Sequence, residues 1–229
     1  MALDPALPPE RLYLARGDEV NVARPIFTGD VFEAVKIPGV GRYPAMVVAH
    51  PCSFRGRNGC LSDRIQVAAV ENHQAVPNHK WSEGYYEKMP LPDLGGKYCV
   101  ARLSLVGNVK STKLRGRSRI ACLAEPGINL LQQRTVFNAT RVEILATTFQ
   151  SAFGHTYDEA ELLEIWAEEL TDLAVDPVAQ FEEWIRDGTP SRQQRLKTPA
   201  ERAPVRREMS NEIQRRRGCV STSISDDVL

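Results

Sequence analysis

Three short apolar runs between Thr28 and Val70 constrain the fold of this chain more than any other feature. They occupy residues 28–32, 43–52 and 65–70, are rich in β-branched side chains, and are bounded by Gly, Pro, Asn and Asp. Short runs of this composition are typical of strands in a small sheet or barrel. Similar runs at residues 98–105, 119–123 and 141–146 predict further strands, and residues 71–97 are predicted to form a long irregular segment.

Helical patterns follow the predicted strands. Residues 127–138 carry apolar side chains at helical spacing, and residues 156–159 (Thr-Tyr-Asp-Glu) resemble a capping box. A second predicted helix begins at Asp176-Pro177 and ends before Gly188. Residues 189–229 contain no aromatic side chain and are rich in Arg, Ser, Thr and Pro, which favours disorder over a basic helix at residues 201–217.

These patterns together predict an α+β protein, a small, strongly bent β-barrel followed by a C-terminal helical hairpin and a flexible tail. The predicted divisions are an N-terminal extension (1–24), the barrel domain (25–150), an acidic two-helix appendage (151–188) and a basic, disordered tail (189–229).

Opposed blocks of charge make up a net charge of zero. Residues 1–150 carry a net +6, residues 151–188 a net −10, and residues 189–229 a net +4. Such blocks either neutralise each other or meet different partners. The acidic helices therefore mask the basic barrel face, dock a partner protein, or present an ordinary solvated surface.

The five cysteines form no regular framework, which favours reduced thiols in a cytoplasmic protein. The sequence contains no apolar run of membrane-spanning length and no secretory leader pattern at residues 1–16, so we expect no membrane association.

The predicted strands carry a family resemblance. Gly29-Asp30-Val31-Phe32, then Arg42-Tyr43-Pro44-Ala45-Met46-Val47-Val48, then Val67-Ala68-Ala69-Val70 resemble the opening of MazF/PemK-type toxins. The resemblance covers residues 26–72 by motif and extends loosely to about residue 148. It implies a small barrel that dimerises and cuts single-stranded RNA without a metal. In that family an Arg beside the Pro of the second strand and a Thr or Ser at the end of the third act on the RNA.

The resemblance directs attention to Arg42 and Glu71 as catalytic candidates, and the chemistry of metal-free RNA cleavage adds His50. Here Tyr43 stands beside Pro44 and Arg42 one place earlier, while Glu71 occupies the Thr/Ser position. Metal-free RNA cleavage needs a cation on the phosphate and groups that transfer protons. Either Arg42 or the pair Arg55 and Arg57 would stabilise the phosphate, and either Glu71 or His50 would transfer a proton. The alternative is a solvated Glu at a strand end among surface arginines.

Two further clusters carry chemistry. Lys110, Lys113, Arg115, Arg117 and Arg119 fall within ten residues, a density suited to tracking a phosphate backbone, although a plain exposed basic hairpin would have the same sequence. His50, Cys52 and Cys60 form a partial zinc set or a Cys–His nucleophile, against the simpler interpretation of a buried thiol beside a hydrogen-bonded His.

The leading hypothesis is a nucleic-acid-directed protein of toxin–antitoxin or phage-defence type that acts as a metal-independent endoribonuclease. It uses no cofactor or metal and binds single-stranded RNA through Arg55, Arg57, Lys110, Lys113, Arg115 and Arg117. Its protein partner would be a second copy or another chain. The alternative hypothesis is a non-enzymatic protein-interaction module built on the same barrel.

Overall fold

A computed structural model describes residues 3–22, 24–56, 60–170 and 176–223, with side chains for all of these except 151–153 and 218–223. The chain divides into two compact units. The first comprises residues 1–22, 26–56 and 60–154, and the second comprises residues 23–25, 57–59 and 155–229. Among the described helices, none is both long and apolar enough to cross a bilayer.

A seven-stranded antiparallel sheet forms the first unit, which makes the fold α+β as predicted. The strands are β1 (Tyr13–Arg16), β2 (Val31–Ile37), β3 (Gly41–Val47), β4 (Arg64–Asn72), β5 (Lys88–Leu94), β6 (Lys97–Lys110) and β7 (Arg119–Leu123). Their order is β1-β7-β2-β3-β4-β6-β5, with every pairing antiparallel. This order is open, with β1 and β5 at the two edges, so closure into a barrel stays a prediction.

The sheet curves strongly across its middle. β2 and β6 are separated by two strands in the order, yet a Cβ on Gly107 of β6 would lie 2.6 Å from Cγ2 of Ile37 on β2. Glycine is therefore needed where the two strands approach. The concave side is filled by buried apolar residues from four strands, among them Phe32, Val47 and Ile65. This curvature brings the end of β2 beside the end of β6.

The Gly-Asp pair that carries the family resemblance has a structural role. Gly29 has φ +85°, and a Cβ there would lie 2.8 Å from Leu123. Asp30 is fully buried, and its Oδ2 lies 3.1 Å from Nε of the equally buried Arg119. The same carboxylate oxygen accepts a hydrogen bond from the Phe27 N–H at 2.9 Å. This ion pair joins the start of β2 to β7 in the interior of the sheet.

Short helices connect and cover the strands. They are α1 (Pro9–Leu12), α2 (Pro51–Phe54), α3 (Asn78–Glu83) and α4 (Glu125–Thr140), the last confirming the predicted helix over 127–138. Arg134 of α4 is fully buried and donates from Nη2 to the carbonyls of Trp81 (3.0 Å) and Asp4 (3.2 Å). Burial lowers the pKa of this guanidinium to about 10. These bonds fix α4 against the 71–97 segment.

Three predictions for the first unit are wrong. Residues 71–97 are not irregular, since they contain α3 and β5. Residues 141–145 form no strand. The N-terminal extension belongs to the sheet: β1 pairs with β7, the Leu12 carbonyl accepts a bond from the Ala124 N–H (2.9 Å), and Leu12 is buried.

The second unit is helical. It contains the later part of α5 (Ala146–Glu169), together with α6 (Pro177–Arg186), α7 (Arg192–Leu196) and α8 (Pro199–Ser223). Asp176 caps α6 as predicted, accepting the Val178 N–H at 3.0 Å. The capping box expected at 156–159 is wrong, because these residues lie inside α5.

The described part of the tail is helical instead of disordered. Leu196, Val205, Met209 and Ile213 are buried against the apolar side chains of α5 and α6, including Trp166. Burial of these four apolar side chains offsets the conformational entropy lost when the segment becomes ordered. A tail without apolar side chains would have no such compensation.

Ion pairs join the acidic and basic blocks of this unit. Arg206 of α8 donates to Glu161 (2.5 Å) and Asp158 (2.8 Å) of α5, and these bonds raise the pKa of its guanidinium. Arg217 and Glu169 form a further ion pair at 2.6 Å. Three acids of α5 are thus engaged by the basic helix of the same unit.

Candidate nucleic-acid interface

A pocket of about 450 Å³ in the first unit is lined by five cations, which we call the basic pocket. Its charged lining residues are Lys36, Arg42, Arg64, Lys110 and Lys113, all of them exposed. No Asp or Glu is among the residues that line it. It forms where the curved sheet brings the end of β2 next to the start of β4 and the end of β6.

Two cross-strand pairs of like charge face this pocket. Lys36 of β2 lies directly opposite Arg42 of β3, and Arg64 of β4 lies directly opposite Lys110 of β6. Side chains in such pairs have Cβ atoms about 5 Å apart, and like charges there are destabilising. The sheet therefore bears an electrostatic cost for each pair.

Carboxylates do not compensate these cations. Within the described part of the chain, Lys36, Arg42, Lys110 and Lys113 have no carboxylate oxygen within 4.0 Å. Arg64 approaches Asp63 at 3.9 Å, but both side chains are more than half exposed, so this pair contributes little. An anionic ligand is what such an arrangement of fixed charge attracts.

A β-bulge shapes one wall of the basic pocket. The β2–β3 register passes from Phe32↔Ala45 to Val35↔Tyr43, so Glu33 and Ala34 stand opposite Pro44, which has no N–H for the ladder. Ala34 adopts φ +53°, and its carbonyl accepts a bond from Nη1 of Arg42 at 3.2 Å. The bulge thereby orients Arg42.

A second pocket of about 560 Å³ adjoins the first, and we call it the His50 pocket. Arg64 and Asn108 line both pockets. The remaining lining residues come from the 28–54 segment, β4, α4 and the start of α5: Thr28, Val48, Ala49, His50, Ser53, Phe54, Gln66, Gln132, Thr135, Val136 and Phe149. One cationic compartment and one mostly apolar compartment therefore share a wall.

His50 caps α2 through its ring. The Nδ1 atom accepts the Cys52 N–H at 3.3 Å, so the neutral ring carries its proton on Nε2. In this tautomer the Nε2–H group of His50 is a hydrogen-bond donor. Thr28 Oγ1 donates to the Ala49 carbonyl (2.6 Å), and Ser53 Oγ donates to the His50 carbonyl (2.6 Å), which holds this loop in place.

Glu71 does not join these pockets. It lies seven residues along β4 from Arg64, roughly 23 Å at the rise of a strand, and lines neither pocket. Arg102 donates to its carboxylate at 2.9 Å and contacts Glu87 at 3.3 Å. The hydrogen bond to Glu71 raises the pKa of Arg102. The structure thus brings Arg42 and His50 to adjoining pockets but leaves Glu71 in a separate ion-pair cluster.

Of the other predicted RNA-binding residues, some line the basic pocket and some lie outside both pockets. Lys110 and Lys113 line the basic pocket. Arg55 instead donates to the Ile26 carbonyl at 2.8 Å, and Arg115 and Arg117 are exposed in the turns between β6 and β7, outside both linings. Arg57 lies outside the described residues.

Four residues that line the pockets were not predicted as site residues: Lys36, Arg64, Gln66 and Asn108. Their placement depends on the registers of β2 with β3 and of β4 with β6, which no short motif records. The available signal was the alternation of β4, whose Arg64 and Gln66 flank the buried Ile65.

The zinc hypothesis gains no support from side-chain placement. Across the residues that the structure describes, no group of three or more His, Cys, Asp or Glu side chains could hold a metal ion. Cys52 and Cys60 are exposed thiols, so the interpretation of a buried thiol does not apply to them either.

Comparisons with known proteins do not assign a family. No protein-family model matches the chain, and no curated protein matches its sequence.

Proposed function

We propose that this protein binds single-stranded RNA through the basic pocket, using a bent barrel of the MazF/PemK type. The observation that carries the proposal is the pair of opposed like charges, Lys36 with Arg42 and Arg64 with Lys110, facing one pocket without acids in its lining. A sheet gains nothing from such pairs unless an anion binds between them. The resemblance at residues 26–72 supports RNA as that anion, in the cytoplasm.

The adjoining pocket supports a single strand over a duplex. Phosphate contacts alone give affinity, while unpaired bases need an apolar surface beside the phosphate track. The His50 pocket supplies that surface through the half-buried Val48, Ala49 and Val136. A duplex keeps its bases stacked inside, where they would not enter such a pocket.

The test removes charge from the pocket and from a matched surface. Lys110→Gln/Lys113→Gln is compared with Lys80→Gln/Lys97→Gln, which removes two exposed lysines of the same unit outside the pocket. Binding of a fluorescent single-stranded RNA is measured across a salt series. The slope of log K against log salt is negative, and each lost phosphate contact reduces its magnitude by about 0.7 for a single strand. The slope of the pocket variant should therefore be shallower than that of wild type by roughly 1.4.

The control variant should keep the wild-type slope. Equal effects of the two variants would show that binding is diffuse, which contradicts the proposal. No RNA binding at low salt would favour the non-enzymatic interaction module.

A second candidate function is metal-independent cleavage of the bound RNA. One observation favours it: the Nε2–H group of His50 belongs to a side chain that lines the pocket next to Arg64. A cation and a hydrogen-bond donor on the phosphate stabilise the negative charge that develops in this reaction. Glu71 has no role in this version.

Cleavage is tested by incubating mixed RNA with the protein in the presence of a chelator. We expect His50→Ala to abolish cleavage while RNA binding stays within a few-fold of wild type, and Glu71→Gln to retain activity. Full cleavage by His50→Ala would contradict the assignment.

A further inference from the structure

Four polar side chains form a regular block on the outward face of β4 and β6. Arg64 lies opposite Lys110, and two residues further on Gln66 lies opposite Asn108. The residues between them, Ile65 and Val109, point the other way, since both are buried in the core. Alternation on both strands therefore places two cations and two carboxamides side by side on one face.

The block spans the wall between the two pockets. Lys110 lines the basic pocket, Gln66 lines the His50 pocket, and Arg64 and Asn108 line both. The cationic end thus faces the basic pocket and the carboxamide end faces the apolar one. The Nη1 atom of Arg64 donates a hydrogen bond to the backbone carbonyl of Asn108 at 3.4 Å, which links the two ends of the block.

The carboxamides of Gln66 and Asn108 are available for a ligand. Neither side chain forms a hydrogen bond with another of the described residues, and both residues are exposed. Each carboxamide presents a donor and an acceptor next to each other, which is the arrangement that pairs with the edge of a nucleobase.

We propose that this block is a nucleotide subsite in which Arg64 and Lys110 hold a phosphate while Gln66 and Asn108 read the edge of the attached base. The proposal rests on the proposed RNA binding and adds base recognition to it. The base enters the His50 pocket against Val48, Ala49 and Val136, and the phosphate stays at the mouth of the basic pocket. Base preference then resides in the carboxamides, and salt-dependent affinity resides in the cations.

The two roles separate by substitution in the full chain. Labelled oligo(A), oligo(C) and oligo(U) of equal length are titrated with wild type, with Gln66→Ala/Asn108→Ala, and with Arg64→Ala/Lys110→Ala. The matched control is Gln74→Ala/Asn78→Ala, which removes two exposed carboxamides outside both pockets. Each protein is also measured across a salt series with its preferred oligomer.

We expect wild type to prefer one homopolymer by about 10-fold, the discrimination that carboxamide contacts to a base typically give. Gln66→Ala/Asn108→Ala should reduce this ratio to below about 3-fold and leave the salt slope unchanged. Arg64→Ala/Lys110→Ala should weaken the binding of all three oligomers alike and reduce the magnitude of the salt slope by about 1.4. The control variant should match wild type in base preference and in salt slope.

Two results separate this inference from the function on which it rests. If the carboxamide variant keeps the wild-type base preference, or wild type has none while binding remains salt-dependent, the subsite is overturned and RNA binding stands. If no oligomer binds in a salt-dependent manner, the proposed function itself fails.

Discussion

Replacing Asp30 by Ala should destabilise the first unit more than any surface change. Asp30 and Arg119 have side chains exposed by 0% and 1%, and their charged atoms lie 3.1 Å apart. Removing the carboxylate leaves the guanidinium buried without its counter-charge, which typically costs about 3–5 kcal/mol. The Phe27 N–H also loses its acceptor. At roughly 2–4 °C per kcal/mol, the melting temperature should fall by about 6–20 °C.

The assay is thermal and urea unfolding followed by far-ultraviolet circular dichroism. Asp18→Ala, an exposed acid of the same unit, serves as the control and should stay within about 0.5 kcal/mol of wild type. In a double-mutant cycle, Asp30→Ala/Arg119→Met should be less destabilised than the sum of the single variants, because the double variant leaves no buried charge. A loss below about 1 kcal/mol for Asp30→Ala would refute the structural role of this pair.

Three further predictions concern stability. Gly29→Ala should destabilise the first unit by about 1–3 kcal/mol in urea unfolding, because φ +85° strains an L-residue and its Cβ meets Leu123; an unchanged midpoint would contradict this close approach. Met209→Ala should cost about 2–5 kcal/mol through lost burial, whereas a disordered tail predicts no change. Hydrogen bonds from Arg215 and Arg216 lower the pKa of Glu212 to about 2, below its unfolded value of 4.5, so its stabilisation is present above pH 4.5 and disappears as pH falls towards 2. Glu212→Gln should flatten acid unfolding over that window, and an unchanged profile would argue against the pair.

The sequence predicted strands where the apolar runs alternate or are buried on both faces. β2, β4 and β7 lie at 31–37, 64–72 and 119–123, close to the predicted runs. The sequence did not predict β5, because Pro90 and Pro92 interrupt the strand pattern. Prolines are tolerated at these positions because β5 is an edge strand.

The tail was mispredicted for a different reason. Its composition is polar and lacks aromatics, yet Val205, Met209 and Ile213 recur at intervals of four residues and are buried in the second unit. The prediction of disorder followed from the polar composition, although the four-residue periodicity is the more direct signal for a helix.

The candidate site was predictable only in part. The density of Lys110 and Lys113 in the sequence pointed to the basic pocket, and Arg42 followed from the resemblance. Lys36 and Arg64 join them through strand register and sheet curvature, which are long-range properties. Glu71 was a catalytic candidate because the resemblance puts the family's Thr or Ser position there, but β4 carries it away from the pocket.

The salt dependence of wild-type binding to single-stranded RNA tests the central claim most directly. If the five cations of the basic pocket each engage a phosphate, log K should fall against log salt with a slope of about −3.5. A slope of −2 or steeper that becomes shallower by about 1.4 in the pocket variant and is kept in the control supports the basic pocket as the RNA site. A slope near zero, or one that Lys110→Gln/Lys113→Gln leaves unchanged, would contradict it.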